Sequence, residues 1–280
     1  MMNKKIEKAM EYLLFYLAEF VYITSYWNIK EDNNIPTMAT DYKHLLYNKD
    51  FIEKLSIKKL ASVILHEALH CFFLHPSEIS LIQKQGKNQQ LWAIAEEIVV
   101  NATLEDIGGS NFSLPGLPLS PLSDKVPSFN QREKNQYYFY DSCGKEKTVY
   151  EIYVMLLKKI KEIDKVKYFL SEEKNERKID VILNKDVIPG KNNSEEKNEI
   201  IERVNAVVKN LARKRGNLPL GIDRFIKKLK VEAIPFERIL INFVATSFYA
   251  GADDLSWTRV NTKHPLSKDI VLPGEVETEL

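Results

Sequence analysis

The chain has 280 residues, enough for one large domain or two small ones, and 44% of them are hydrophobic, which supports a proper core. Lysine and arginine number 40 against 39 acidic residues, so the net charge of +1 argues against nucleic acid or an anionic membrane as the main partner. The two cysteines, Cys71 and Cys143, exclude a disulfide framework and make a reducing cytosol the default compartment.

Lys4-Lys5 followed by the apolar stretch 10–26 superficially suggests a signal peptide. Glu11 and Glu19 interrupt that stretch, no small-residue cleavage site follows, and it is too short and too charged to span a membrane. Ile6, Met10, Leu13, Leu14, Leu17 and Val21 recur at helical spacing and predict one buried amphipathic helix over 4–25. Asp32-Asn33-Asn34 and Pro36 break the pattern. Residues 37–40 and 44–47 then read as two short extended pieces around a turn at Asp41-Tyr42-Lys43, the best strand candidate in the chain. An edge there would suit an extended peptide.

Ser56 is placed to cap a helix that runs to about Leu74, where Pro76 ends it. Residues 77–90 are polar and read as a connecting gap. A second helix spans 91–107 and stops at Gly108-Gly109. Residues 110–147, rich in Pro, Ser, Asn and Tyr, predict a long loop. Thr148 and Glu151 form a capping box that opens a helix to about Ile163. A charged linker over 164–198 precedes an amphipathic helix at 195–213, closed by Gly216. Pro235 starts another helix through about Tyr249, and periodicity is lost from Gly251. The expected architecture is mostly α with a minor antiparallel β element, an α+β fold. It divides into a catalytic core over 1–165 and a linker with a helical C-terminal part over 166–280.

The chemistry concentrates in the helix that follows Ser56. His66-Glu67-Ala68-Leu69-His70 spells H-E-x-x-H inside an apolar segment. Helical residues four apart share a face, so both imidazoles can meet one metal ion, with the intervening Glu67 a candidate general base. Two histidines leave a catalytic zinc one protein ligand short. A third histidine six residues after His70 is excluded, because position 76 is Pro. His75 lies nine positions after His66, about 180° around a continuing helix, and so reads as a helix-terminal residue facing away. Cys71 is turned by about 100° and reads as core packing. A carboxylate from the second helix is the remaining source. Glu96 and Glu97 both qualify by the helical wheel, one of them expected to be exposed and the other paired or metal-bound. Asn101, one turn beyond Glu97, could orient a ligand. Several tyrosines and His264 could reach an oxyanion, and none is singled out by the pattern.

At this point the chain resembles the putative metallopeptidase domain found upstream of von Willebrand factor A-like domains. The resemblance rests on residues 37–41 with Tyr47-Asn48, on His66-Glu67-x-x-His70 with His75, and on Trp92-x-Ile94-Ala95-x-acid-x-x-x-Asn101. It extends to Ser256-Trp257-x-Arg259-x-Asn261 and Leu272-Pro273-Gly274, and so to nearly the whole chain. It implies a zincin-like core, a zinc cofactor and hydrolysis of a peptide or protein substrate. The family register puts the acid at Glu97, where related chains usually carry aspartate, giving His66, His70 and Glu97 as metal ligands and Glu67 as the catalytic base. It also implies company: a MoxR-type ATPase or a von Willebrand factor A-like protein, for which a catalytically silent metal-binding interaction module is the alternative role. Related chains continue into the A-like domain; this one stops at Leu280, either as a stand-alone version or as the first domain alone.

Overall fold

The computed structural model describes residues 3–123, 136–162, 194–232, 255–260 and 273–275. The chain forms two compact units, Met1–Ile226 and Lys227–Leu280. The division placed at 165/166 falls outside the described residues, as does the helix expected at 235–249.

In the larger unit, helix α1 (Lys4–Tyr16) starts on Asn3, whose side chain accepts from the Lys5 amide at 2.8 Å. The single helix expected over 4–25 is broken at Leu17, with φ −138° and ψ 59°. A 3-10 turn (Ala18–Phe20) and α2 (Val21–Thr24) follow. The break buries Phe20 and Glu19, and Glu19 meets Lys214 at 3.3 Å.

Strands β1 (Asn28–Glu31), β2 (Met38–Thr40) and β3 (His44–Tyr47) form one sheet in the order β1-β3-β2. The β2–β3 hairpin has the expected antiparallel register, Met38 opposite Tyr47 and Thr40 opposite Leu45. Strand β1 pairs parallel with β3, an addition that the mixed sequence of 28–31 does not announce. Helix α3 (Lys49–Lys54) links the sheet to α4 (Ile57–Phe72).

Helix α4 is capped by Ser56, which accepts from Lys59 N at 3.3 Å. Every residue from Leu60 to Phe72 is buried, so α4 is the core of this unit. Leu60, Val63, Ile64, Leu65, Leu69 and Phe72 are fully buried, each contributing about 1.5–3 kcal/mol by removal from water.

The reading of 77–90 as a gap is corrected. Helix α5 (His75–Lys84) occupies most of it, and α6 (Gln89–Gly108) follows, capped by Asn88. Helix α4 ends two residues before Leu74, which turns the chain with φ +63°. Pro76 therefore sits in the first turn of a new helix, where its missing N–H is harmless. Helix α6 ends at Gly109, with φ +51°.

The stretch 110–147, expected as loop, contains two short parallel strands, β4 (Leu117–Leu119) and β5 (Tyr137–Phe139). A 3-10 turn (Ser142–Lys145) then lies on α6. A Cβ at Gly144 would stand 2.5 Å from the Ile98 carbonyl oxygen, so only glycine permits this approach. The capping box forms as expected: Thr148 N donates to Glu151 at 2.7 Å and Glu151 N to Thr148 Oγ1 at 3.3 Å, opening α7 (Val149–Glu162). Helices α8 (Ser194–Arg215) and α9 (Leu220–Glu232) are the last helices among the described residues. Phe225 of α9 packs on Phe72 and Phe73 at centroid distances of 5.6 and 5.1 Å. In the smaller unit β6 (Leu255–Val260), which carries Trp257 and Arg259, pairs antiparallel with β7 (Pro273–Glu275). Among the described residues no helix is long and apolar enough to cross a membrane.

Candidate metal centre

Helix α4 brings His66 and His70 to one face, one turn apart, and α6 crosses that face with Glu97. The two Nε2 atoms are 3.1 Å apart. Glu97 Oε2 lies 3.5 Å from His66 Nε2, and its Oε1 lies 3.2 Å from His70 Nε2. One ligand atom from each residue falls within 4.8 Å of the others, and all three side chains are buried. A tetrahedral ion with ligands at about 2 Å sets them ~3.3 Å apart, so this triangle has the size that such an ion needs.

The tautomer of His66 is fixed by Asn101. An amide oxygen only accepts, so His66 Nδ1–H donates to Asn101 Oδ1 at 2.8 Å, and Nε2 presents a lone pair. The amide is itself oriented, donating from Nδ2 to the Phe139 carbonyl at 2.7 Å and to Glu97 Oε2 at 3.5 Å. This is the orienting role expected of Asn101, with the support coming from β5 of the supposed loop. Burial, followed by the neighbouring His66 and His75, holds the His70 pKa well below its ordinary value. Neutral imidazole, the metal-binding form, is thereby favoured.

Glu67 is fully buried. It lies on the side of α4 shared with Cys71, one turn on, and adds to the rise of that thiol to about 12, whose main cause is burial. Cys71 shares a hydrogen bond of 3.3 Å with Thr40 of β2, in keeping with a packing role.

Two expectations are corrected. Neither of the paired glutamates is exposed: Glu96 and Glu97 are each 4% exposed. Glu96 turns away from the histidines and accepts from Trp92 Nε1 at 2.8 Å. Burial, with the charge of Glu78 adding, lifts its pKa well above the usual carboxylate range. Its protonated form needs no counter-charge, which is how a second carboxyl group can be buried beside Glu97.

His75 does not face away. It is buried, and its Nδ1 lies 2.9 Å from His70 Nδ1. The 180° count assumed a continuous helix, whereas the turn at Leu74 folds His75 back against α4. The isolated Leu-His-Pro sequence carries no sign of that turn.

No curated protein and no solved structure matches the chain. The stretch that folds into α1 through β5 and carries the whole His66–His70–Glu97 group matches one family model. Residues 3–140 match the family described as "putative metallopeptidase domain".

Proposed function

We propose that the chain is a zinc-dependent metallopeptidase in which His66, His70 and Glu97 hold the ion and Glu67 is the general base. The carrying observation is the 3.1, 3.2 and 3.5 Å triangle of nitrogen and carboxylate atoms on two crossing helices. Two neutral imidazoles and one carboxylate leave a divalent ion at a net charge of +1, a donor set suited to hydrolysis. When bound, zinc supplies Lewis acidity, lowering the pKa of a coordinated water toward about 7 and polarising a carbonyl. The protein's own part is proton transfer and orientation. Glu67 takes the proton from the attacking water and passes it to the leaving amine. Asn101 keeps the His66 proton on Nδ1 and steadies Glu97.

The burial of His66, Glu67, His70 and Glu97 favours a second reading, a catalytically silent metal-binding module. Elemental analysis followed by a broad peptide-library digest tests both. The hydrolase reading expects about one zinc per chain. It also expects Glu67→Gln to keep the metal while hydrolysis falls about a hundredfold or more. Zinc without hydrolysis by the parent protein supports the silent module. A protein that neither contains nor takes up zinc refutes both.

A further inference from the structure

His70 can offer only one of its ring nitrogens to the ion, and the structure shows what the other one meets. Nε2 is the atom that faces His66 and Glu97. Nδ1 lies 2.9 Å from His75 Nδ1. If Nε2 gives its lone pair to a metal, the single proton of neutral imidazole must sit on Nδ1. His75 must then accept it, with its own proton on Nε2.

The surroundings hold His75 in that place. Among the described residues two non-glycine residues have positive φ, Tyr42 at +81° and Leu74 at +63°. Both act on the turn that carries His75. Leu74 immediately precedes it and reverses the chain between α4 and α5. Tyr42, in the β2–β3 turn, is buried and accepts from the Ser77 amide at 3.1 Å, pinning the first turn of α5. Phe73 stacks on the His75 ring, with centroids 5.7 Å apart and planes at 22°. Left-handed backbone at bulky residues persists only where the surrounding structure enforces it, and it gathers at functional sites. Here two such residues, 32 positions apart, converge on one imidazole.

We infer that His75 is a positioning residue that accepts the His70 Nδ1 proton and so commits His70 Nε2 to the metal. The inference rests on the zinc-binding reading above. His75 is not a fourth ligand of the same ion, because it meets the nitrogen of His70 that faces away from Glu97. The two imidazoles are thus held by different means, His66 by an amide oxygen of α6 and His70 by a second imidazole.

The test compares zinc affinity, by chelator competition, for the parent protein, His66→Ala, His75→Phe and His75→Asn. Phenylalanine keeps the ring stacking but cannot accept a proton. Asparagine places an oxygen close to the position of Nδ1. The expectation is that His75→Phe binds zinc about 10–100-fold more weakly. Its cobalt(II) d–d spectrum should be altered, and His75→Asn should recover most of the affinity. Equal affinity of His75→Phe and the parent protein would overturn the inference while leaving the zinc site standing. Loss as complete as in His66→Ala, without rescue by asparagine, would also overturn it and make His75 a ligand. A parent protein that binds no zinc would overturn the zinc reading first. If His75→Phe does not fold, nitrogen NMR of the zinc-loaded parent protein decides. The expected spectrum has a protonated Nδ1 on His70, and an unprotonated, metal-shifted Nδ1 would refute the inference.

Discussion

Asn101→Leu separates the metal site from the fold that carries it. Asn101 is 2% exposed and makes two short hydrogen bonds, from His66 Nδ1 at 2.8 Å and to the Phe139 carbonyl at 2.7 Å, with a long third one to Glu97 at 3.5 Å. Leucine matches the volume and removes both short bonds. Each buried partner left unsatisfied costs about 1–3 kcal/mol, so the metal-free protein should lose about 2–6 kcal/mol of stability. Zinc affinity should fall as well, because nothing then keeps the His66 proton on Nδ1. Loss of a partner that orients a metal ligand weakens binding about 10–100-fold, equivalent to about 1.4–2.8 kcal/mol. Urea unfolding in excess chelator reads the first quantity, and chelator competition on the folded protein reads the second. Asn101→Asp is the informative companion, since it keeps the acceptor for His66 and loses the donor to Phe139. It should retain more affinity than the leucine variant while still unfolding more easily than the parent. Lowered stability with zinc affinity within about twofold of the parent would refute the assigned role, because an orienting partner is worth at least about tenfold.

Gly144→Ala should destabilise the chain by about 1–3 kcal/mol, since the added methyl would stand 2.5 Å from the Ile98 oxygen and 2.8 Å from Ala102 Cβ. An unchanged melting temperature would show that the Ser142–Lys145 turn yields freely. In Glu96→Gln protein stripped of metal, which lacks the opposite-signed titration of Glu96, stability should be full above about pH 6.5 and fall below it by up to about 1.4 kcal/mol per pH unit. The sign follows from His70: its folded pKa is depressed, so the unfolded chain binds the proton first as pH falls. Thermal unfolding in chelator across about pH 8 to about pH 5 checks this, and a melting temperature independent of pH would contradict it.

The parts of this protein legible in its sequence are those governed by local rules. Ser56 and the Thr148–Glu151 box sit where hydroxyl and carboxyl groups can satisfy the open amides of a helix start, and both cap as that rule requires. The H-E-x-x-H spacing guarantees that His66 and His70 share a face, whatever surrounds them. What stayed hidden depends on contacts distant in the chain. Helix α5 is polar and short, so no apolar stripe marks it. Its start depends on Leu74 adopting a conformation leucine rarely takes, which Tyr42, far upstream, helps to hold through Ser77. The turn at Leu17 lies where apolar residues keep their helical spacing from Ile6 to Val21, so periodicity passes straight over it. Strand β5 sits in a segment whose composition reads as loop, yet its Phe139 carbonyl orients Asn101. The candidate group of His66, His70 and Glu97 was thus readable from spacing and from the family register, whereas the groups that orient its side chains were mostly not.

The remaining question of design is the acid at position 97, where the family register usually carries aspartate. Glutamate reaches one methylene further, and with α6 where it stands that reach brings its carboxylate oxygens to 3.2 Å from His70 and 3.5 Å from His66. Helix α6 is fixed against α4 by His66–Asn101, against β5 by Asn101–Phe139, and against the following turn by the close approach of Gly144 to Ile98. None of these contacts involves Glu97, so shortening its side chain gives α6 no reason to move closer. Both carboxylate oxygens are in use, Oε1 at 3.2 Å from His70 and Oε2 at 3.5 Å from His66. Aspartate would draw the carboxylate back by about one carbon–carbon bond, ~1.5 Å. That opens the triangle well beyond the ~3.3 Å edge a tetrahedral zinc sets. Glu97→Asp should therefore weaken zinc binding despite restoring the family's usual acid. Glu96→Gln should leave zinc affinity unchanged, because its amide oxygen still accepts from Trp92 and the residue does not face the histidines. Chelator competition on the two variants, with circular dichroism to confirm folding, makes the comparison. Equal or tighter binding by Glu97→Asp would mean that α6 is free to approach α4, and that the contacts through Asn101 and Gly144 do not set the size of the site.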